Sequence, residues 1–321
     1  MDSSIIITFA IPLFFGLILI EFFYGVITKQ NNYRINDAIT SMSLGLISRF
    51  VPILGLGFQY VVYKAVAEHY NLKLLSGEEI WVWVTAFILY DICYYWMHRI
   101  HHEIKVFWAT HVVHHHGEEF NLATALRQTS TGFLWKWVFF LPLFIIGIPP
   151  QMYVTVAGLN LVYQFWVHTE HIGRLGFLEY IFVTPSNHRV HHAQNEDYLD
   201  ANYGGVFILW DRLFGTFIDE RSDLKPVYGT VKPLKSFNPF WANIEVFYQM
   251  IFDSYHTEKF TDKIRVWFSP PNWRPEDVSM KYPIDKNDLS SFEKYDPNIS
   301  LREKIFAGAQ FTVINLMTIV M

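Results

Sequence analysis

Twelve of the chain's fourteen histidines fall in two short windows. The first holds His98, His101 and His102, then His111, His114, His115 and His116. The second holds His168 and His171, then His188, His191 and His192. The pattern H-x-x-H-H occurs three times, at 98–102, 111–115 and 188–192. Fourteen histidines in 321 residues give roughly 0.03 such matches by composition alone, counting matches to the template. On a helix, residues three and four apart share a face, so each pattern aims two or three imidazoles at one point. Imidazole suits zinc, copper, iron and nickel. A catalytic zinc takes three protein ligands and a water. Nine histidines exceed that and suffice for two metals. Few carboxylates are interleaved, which separates the pattern from the Glu-rich di-iron bundles. The expectation is a two-metal, nearly all-histidine site.

The elements that must position these rings are apolar. The chain is 51% hydrophobic and 18% aromatic but only 17% charged, against about 25% charged in a soluble domain. This composition excludes a disordered chain, and the lone Cys93 excludes a disulfide scaffold. A net charge of -5 excludes broad affinity for nucleic acid. Apolar runs at 5–27, 38–67, 81–97, 131–148, 152–167 and 305–321 read as membrane segments. The first lacks the basic start and small-residue cleavage site of a signal peptide. Arg49 and Pro52 interrupt the second, which is either one kinked helix or a broken pair. Gly147-Ile148-Pro149-Pro150 turns the fourth back into the fifth as a hairpin. Basic residues Lys29, Arg34, Arg99, Lys105 and Arg127 fall in connectors on one side, expected to be the cytoplasm. The first histidine cluster follows the third run, and His168 follows the fifth, so all clusters map to that side. The fold expected is all-α: a multi-pass membrane helical bundle with a cytoplasmic His-rich di-metal cap. Its parts are N-terminal membrane helices at 1–80, a catalytic region at 81–220, a polar cap or tail at 221–304 and an apolar helix at 305–321. Beside a bilayer the substrate at hand is a lipid. Its unactivated C–H bonds need oxygen chemistry rather than hydrolysis, which favours iron.

The boxes resemble those of the fatty acid hydroxylase/sterol desaturase superfamily. Its H-x3-H box is matched by His98 and His102, and its two H-x2-H-H boxes by His111, His114 and His115 and by His188, His191 and His192. A further ligand histidine before the third box is matched by His168. The lead-in from Asp91 to Arg99 also looks like the family's. Longer strings are most like the alkylglycerol monooxygenase branch: 121–128, 163–170, 184–192, 202–204 and 210–217. That resemblance implies a di-iron monooxygenase that uses O2 and tetrahydrobiopterin to cleave the O-alkyl bond of glyceryl ethers. It also implies an external electron donor, a pterin or a redox protein. The location implied is the endoplasmic reticulum in a eukaryote or the inner membrane in a bacterium.

Other residues carry narrower expectations. His101, His116 and His171 are candidates for additional ligands or for outer hydrogen-bond partners. Asp91 lies two helical turns before His98, inside an apolar run, and is expected to orient a ligand imidazole. Glu103 and Glu170 are candidates for outer partners or cofactor contacts, while Asn187 either bonds near the site or caps the third box's helix. His69 and His256 read as structural. Two functional alternatives stay open: a sterol, fatty-acyl or carotenoid hydroxylase or desaturase of the same superfamily, and a zinc-dependent membrane hydrolase.

Overall fold

The computed structural model describes residues 3–53, 57–75, 77 and 79–320. Among these residues the structure is helical, with two isolated antiparallel bridges, Phe182–Phe207 and Ala193–Tyr228, and no strand. Three helices precede the first histidines: α1 (Ser3–Thr28), α2 (Ile35–Ile53) and α3 (Gln59–His69). The apolar run at 38–67 is thus a pair of helices; the junction at 54–56 lies outside the described residues. Helix α4 (Ile80–Glu103) does not stop at Met97 but continues through His98, His101 and His102. Two one-turn helices follow, α5 (Lys105–Trp108) and α6 (Val112–His115), the second beginning directly after His111.

The run at 131–148 is not the single span expected. It breaks into 3-10 segments at Gly132–Leu134 and Lys136–Phe140 and a short helix α7 (Leu141–Ile146). Pro142 lacks an N–H and is placed in the first turn of α7, where none is needed. The expected hairpin is present. Gly147 ends α7 at φ +123°, a conformation that excludes a side chain, and Pro150 opens α8 (Pro150–Trp166). Then come α9 (Pro185–His192), α10 (Leu209–Phe214), α11 (Pro239–His256), α12 (Phe260–Phe268), α13 (Glu276–Lys281) and α14 (Leu301–Val320).

Among the described residues, two helices are long and apolar enough to cross a membrane, Ala10–Thr28 of α1 and Ile80–Glu103 of α4. Their outer faces expose Leu19, Ile20, Phe23, Trp81, Val84 and Ile88, a composition suited to lipid. Helix α8 packs against both. An aromatic core of Tyr63, Tyr90, Phe140 and Phe144 fills the space between α3, α4, α7 and α8. The polar region after residue 220 packs on the other end of the molecule. There α11 and α12 meet Val106 and Ala109, and Arg274 holds the buried Asp253 at 2.8 Å.

Candidate metal centre

The three boxes come together. One ring nitrogen from each of His98, His102, His111, His115 and His191 lies within 4.8 Å of the others, and the same holds for His114, His168, His188 and His192. These two groups contain all eight boxed histidines and His168. Within the first, His111 Nε2 stands 3.0 Å from His98 Nε2 and 3.2 Å from His115 Nε2. Within the second, His188 Nε2 stands 2.9 Å from His168 Nε2 and 3.2 Å from His192 Nε2. The groups adjoin, with the His115 and His192 rings stacked at 4.4 Å.

Local sequence explains how each ring is aimed. Helix α4 delivers two ligands one turn apart. The third box rides on α9, which Thr184 caps; Asn187 at the third position closes a reciprocal capping box. Asn187 thus takes part in capping the helix, as the partner of the Thr184 cap. Arg189, inside that box, holds Glu220 through two bonds of 2.8 and 2.7 Å and donates to the carbonyls of Thr169 and Ile172, which ties α9 to the segment carrying His168. Glu21 reaches from α1 to the side chain of Thr169 and the Leu122 N–H, fixing that segment from below. Arg127 donates to Asp37 of α2 and to the Val113 carbonyl.

Four ligand rings are held from behind by backbone carbonyls. His98 Nδ1 donates to Tyr203 O at 2.8 Å, His114 Nδ1 to Arg127 O at 3.1 Å, His168 Nδ1 to Gln164 O at 2.8 Å and His191 Nδ1 to Ala201 O at 2.9 Å. A carbonyl only accepts, so each Nδ1 carries the proton and each Nε2 turns a lone pair inward. The Nε2 atoms of His102 and His191 are buried with no hydrogen-bond partner. Converging lone pairs repel, and a bound cation removes that cost. The donor set fits transition-metal ions.

The pKa values agree. Burial is the main cause that holds His111, His114, His115, His188 and His192 well below the ordinary imidazole range, and neighbouring imidazoles add to it. Burial pushes His168 down to about 3 and His191 to about 4, against the opposing carbonyl bonds. An unfolded imidazole takes up its proton at about 6.5; these folded rings do so only far below. The stability they contribute is complete above about pH 6.5 and is lost as pH falls toward about 3–4. Metal-free protein is therefore expected to melt at steadily lower temperature as the buffer is acidified from about pH 6.5 to 4. A melting temperature that stays level over that range contradicts the neutral cluster.

Asp91 is one step further out than expected. It touches no ligand imidazole. Its carboxylate accepts from Asn160 Nδ2 (2.8 Å), Val206 N (2.9 Å), Phe207 N (3.0 Å) and Trp210 Nε1 (2.9 Å). It thus anchors the loop whose Tyr203 carbonyl receives His98. Asp211 accepts from the N–H groups of Tyr203 and Gly204 and completes the anchor. Gly205 lets this loop approach α4: a Cβ there would stand 2.8 Å from both Asp91 Oδ1 and Tyr94 Cδ1. Gly205→Ala is expected to cost about 1–3 kcal/mol through overpacking, measured as a drop in melting temperature together with weaker metal retention.

The remaining expected residues are placed outside the two groups. His101 Nδ1 donates to Met97 O. His116 Nδ1 is buried and unpartnered. The His171 ring meets Tyr24 edge-on. Glu103 pairs with Arg99 at 2.8 Å, and Glu170 accepts from Tyr228 Oη at 3.2 Å. His256 donates to Phe252 O, a structural role.

Two cavities reach the histidines. One, of about 520 Å³, is walled by α1, α4, α8 and the 125–140 segment and touches His111, His114 and His168. The other, of about 730 Å³, touches His102, His115, His116, His191 and His192 and is lined by Glu103, Trp108, Asp200 and Lys232. Lys136 and Ser130 of the first cavity, and Glu21 and Asp37 of the supporting network, escaped the sequence reading. The available signal was charge inside an apolar run, which Glu21 and Lys136 both carry.

The fatty acid hydroxylase family model matches residues 83–216. An alkylglycerol monooxygenase of Xenopus tropicalis is 38% identical over 285 residues, covering 88% of this chain and 63% of that protein. The alkylglycerol monooxygenase of Homo sapiens is 37% identical over 312 residues, 97% of this chain and 67% of that protein. An ornithine lipid hydroxylase of Rhizobium tropici is 28% identical over 142 residues, 42% of this chain and 41% of that protein. The chain thus spans just under two thirds of the frog relative's length. No solved structure matches it.

Proposed function

The chain belongs to the fatty acid hydroxylase family, and from that premise we propose that it is an O2-dependent di-iron membrane monooxygenase that cleaves the O-alkyl bond of glyceryl ethers. One observation carries the reading: nine histidines, eight from the three boxes together with His168, all buried except the half-buried His114, form two adjoining groups, each ring offering one nitrogen to its group. Similarity to alkylglycerol monooxygenases over most of the chain supports the ether-lipid substrate. His98, His102, His111, His115 and His191 would hold one iron, and His114, His168, His188 and His192 the other. When bound, the metal pair supplies O2 activation and oxidation of an unactivated C–H bond. Oxidation at the carbon beside the ether oxygen gives a hemiacetal, which collapses to an aldehyde and a glycerol derivative. The balance consumes one O2, two electrons and two protons and releases one water.

The protein's own contribution is positioning. Backbone carbonyls keep four rings in the Nδ1–H tautomer. Asp91 holds the Tyr203 loop one step behind His98. Burial keeps the imidazoles neutral at physiological pH. The cavity of about 520 Å³ admits the lipid and excludes water around the reacting carbon. The electron donor approaches through the larger cleft. There Trp108 offers an aromatic face and Glu103 a carboxylate, features that suit a tetrahydrobiopterin. His101, His116 and His171 act outside the metals, and Glu170 and Asn187 support the segments that carry ligands.

The wider arrangement belongs to the same proposal. A multi-pass helical bundle, formed by residues 1–80, the catalytic region 81–220 and the apolar helix at 305–321, sits in the membrane. Residues 221–304 cap the metal site on the cytoplasmic face. The membrane is the endoplasmic reticulum in a eukaryote or the inner membrane in a bacterium.

The test is full-length protein, loaded with iron anaerobically and given O2, tetrahydrobiopterin and 1-O-hexadecylglycerol. Hexadecanal should form as O2 is consumed. Turnover without O2 would favour a hydrolase. Hydroxylated or desaturated lipid without aldehyde would favour the sterol, fatty-acyl or carotenoid chemistry of the wider superfamily.

A further inference from the structure

The cavity of about 520 Å³ has an unusual charge. Its described lining includes two cations, Lys136 and Arg49, and no aspartate or glutamate. Elsewhere Arg127 pairs with Asp37, Arg189 with Glu220 and Arg274 with Asp253, while the buried Lys105 donates to the Trp273 carbonyl. Among the described residues, Lys136 has neither an ion pair nor a hydrogen bond; Arg49 is exposed.

Lys136 has a defined course. It opens the 3-10 segment Lys136–Phe140. Its stem runs across Gly132, where a Cβ would come 3.1 Å from Lys136 Cε. It lines the cavity together with His111 of one histidine group and His114 and His168 of the other. Ser130 Oγ lines the same cavity, buried and with no hydrogen-bond partner. The rest of the wall is largely apolar and aromatic, with Phe14, Tyr63, Phe140 and Phe165, and carries the neutral amides Gln59, Gln128, Asn160 and Gln164 but no carboxylate. An ammonium set among such side chains is costly unless something neutralises it. A neutral headgroup would solvate Lys136 but leave its charge uncompensated. An anion would compensate the charge and, through its oxygens, also engage Ser130.

Building on the lipid-oxidation reading, we propose that Lys136 and Ser130 form the headgroup anchor for an anionic single-chain lipid, whose phosphate or carboxylate docks beside the histidines while its alkyl chain lies along the aromatic wall. Lys136 then determines specificity. It selects among lipids by headgroup charge and sets which chain carbon meets the metals.

The test is ligand binding to the metal-free full chain in phosphatidylcholine nanodiscs, by displacement of a fluorescent fatty-acid analogue. Three competitors share one hexadecyl tail: 1-O-hexadecylglycerol 3-phosphate, hexadecanoate and neutral 1-O-hexadecylglycerol. At least one anion should bind on the order of tenfold more tightly than the neutral lipid. The stronger of the two identifies phosphate or carboxylate as the source of the charge. Lys136→Met should abolish the preference while changing neutral-lipid binding less than about twofold, and Lys136→Arg should retain it. Equal binding of all three lipids to the wild-type chain overturns the proposal. So does a preference that survives in Lys136→Met. Ser130→Ala, which leaves the charge in place, should weaken anion binding without reversing the order. Binding is read without iron, so failure of the monooxygenase assay and failure of the anchor are separate results.

Discussion

His188→Ala is expected to remove one metal ion and all measurable turnover. His188 is in the second histidine group, with Nε2 2.9 Å from His168 and 3.2 Å from His192. Its loss leaves three rings there and the first group of five untouched. Iron per chain after anaerobic loading should fall from two to one. Loss of an outer hydrogen-bond partner at a metal site costs roughly 10–100-fold in affinity or activity, and loss of a ligand should exceed that. The informative control is His171→Ala. His171 has the same chemistry and lies near in sequence, but its ring packs against Tyr24 outside both groups. That variant should keep both ions. If the two substitutions lose iron equally, or if His188→Ala keeps both ions, the division into two groups is wrong.

Asp91→Ala should be the most destabilising substitution at a residue that is not a ligand. The side chain is fully buried and gathers four donors from three separate segments: Asn160 of α8, the Val206 and Phe207 N–H groups, and the Trp210 indole. Deleting the acceptor strands all four, at a cost of about 3–5 kcal/mol. The metal site should suffer as well, because the same loop presents the Tyr203 carbonyl that fixes the His98 tautomer. Asp91→Asn keeps the shape but turns an NH2 toward other donors, so it should lie between wild type and alanine. Melting temperature and iron content should fall together across this series. A loss of iron with no loss of stability would instead point to direct contact with the centre.

The histidine groups were legible because their chemistry is written in local spacing. H-x-x-H-H on one helical turn needs only 3.6-residue periodicity to be read, and all nine expected histidines meet in the two groups. The Gly147–Pro150 turn was legible for a similar reason: positive φ and a missing N–H are properties of the residues themselves. Hydropathy served less well at 131–148. It registers apolar content but is blind to backbone form: the run folds as two 3-10 segments and a six-residue helix that starts around Pro142.

What residue types and spacing determined alone is the candidate donor set: which rings converge, and that an apolar helix delivers the first pair. Tertiary structure alone decided how nine imidazoles divide into five and four, since that depends on where α4, α6, α8 and α9 cross. It also decided what stands behind each ring. The partners are backbone carbonyls contributed by loops 10 to 105 residues away as well as by the preceding helical turn, and a carbonyl has no signature in sequence. Asp91 illustrates the difference. Its place in an apolar helix marked it as important, but only the folded chain brought to it the loop it holds.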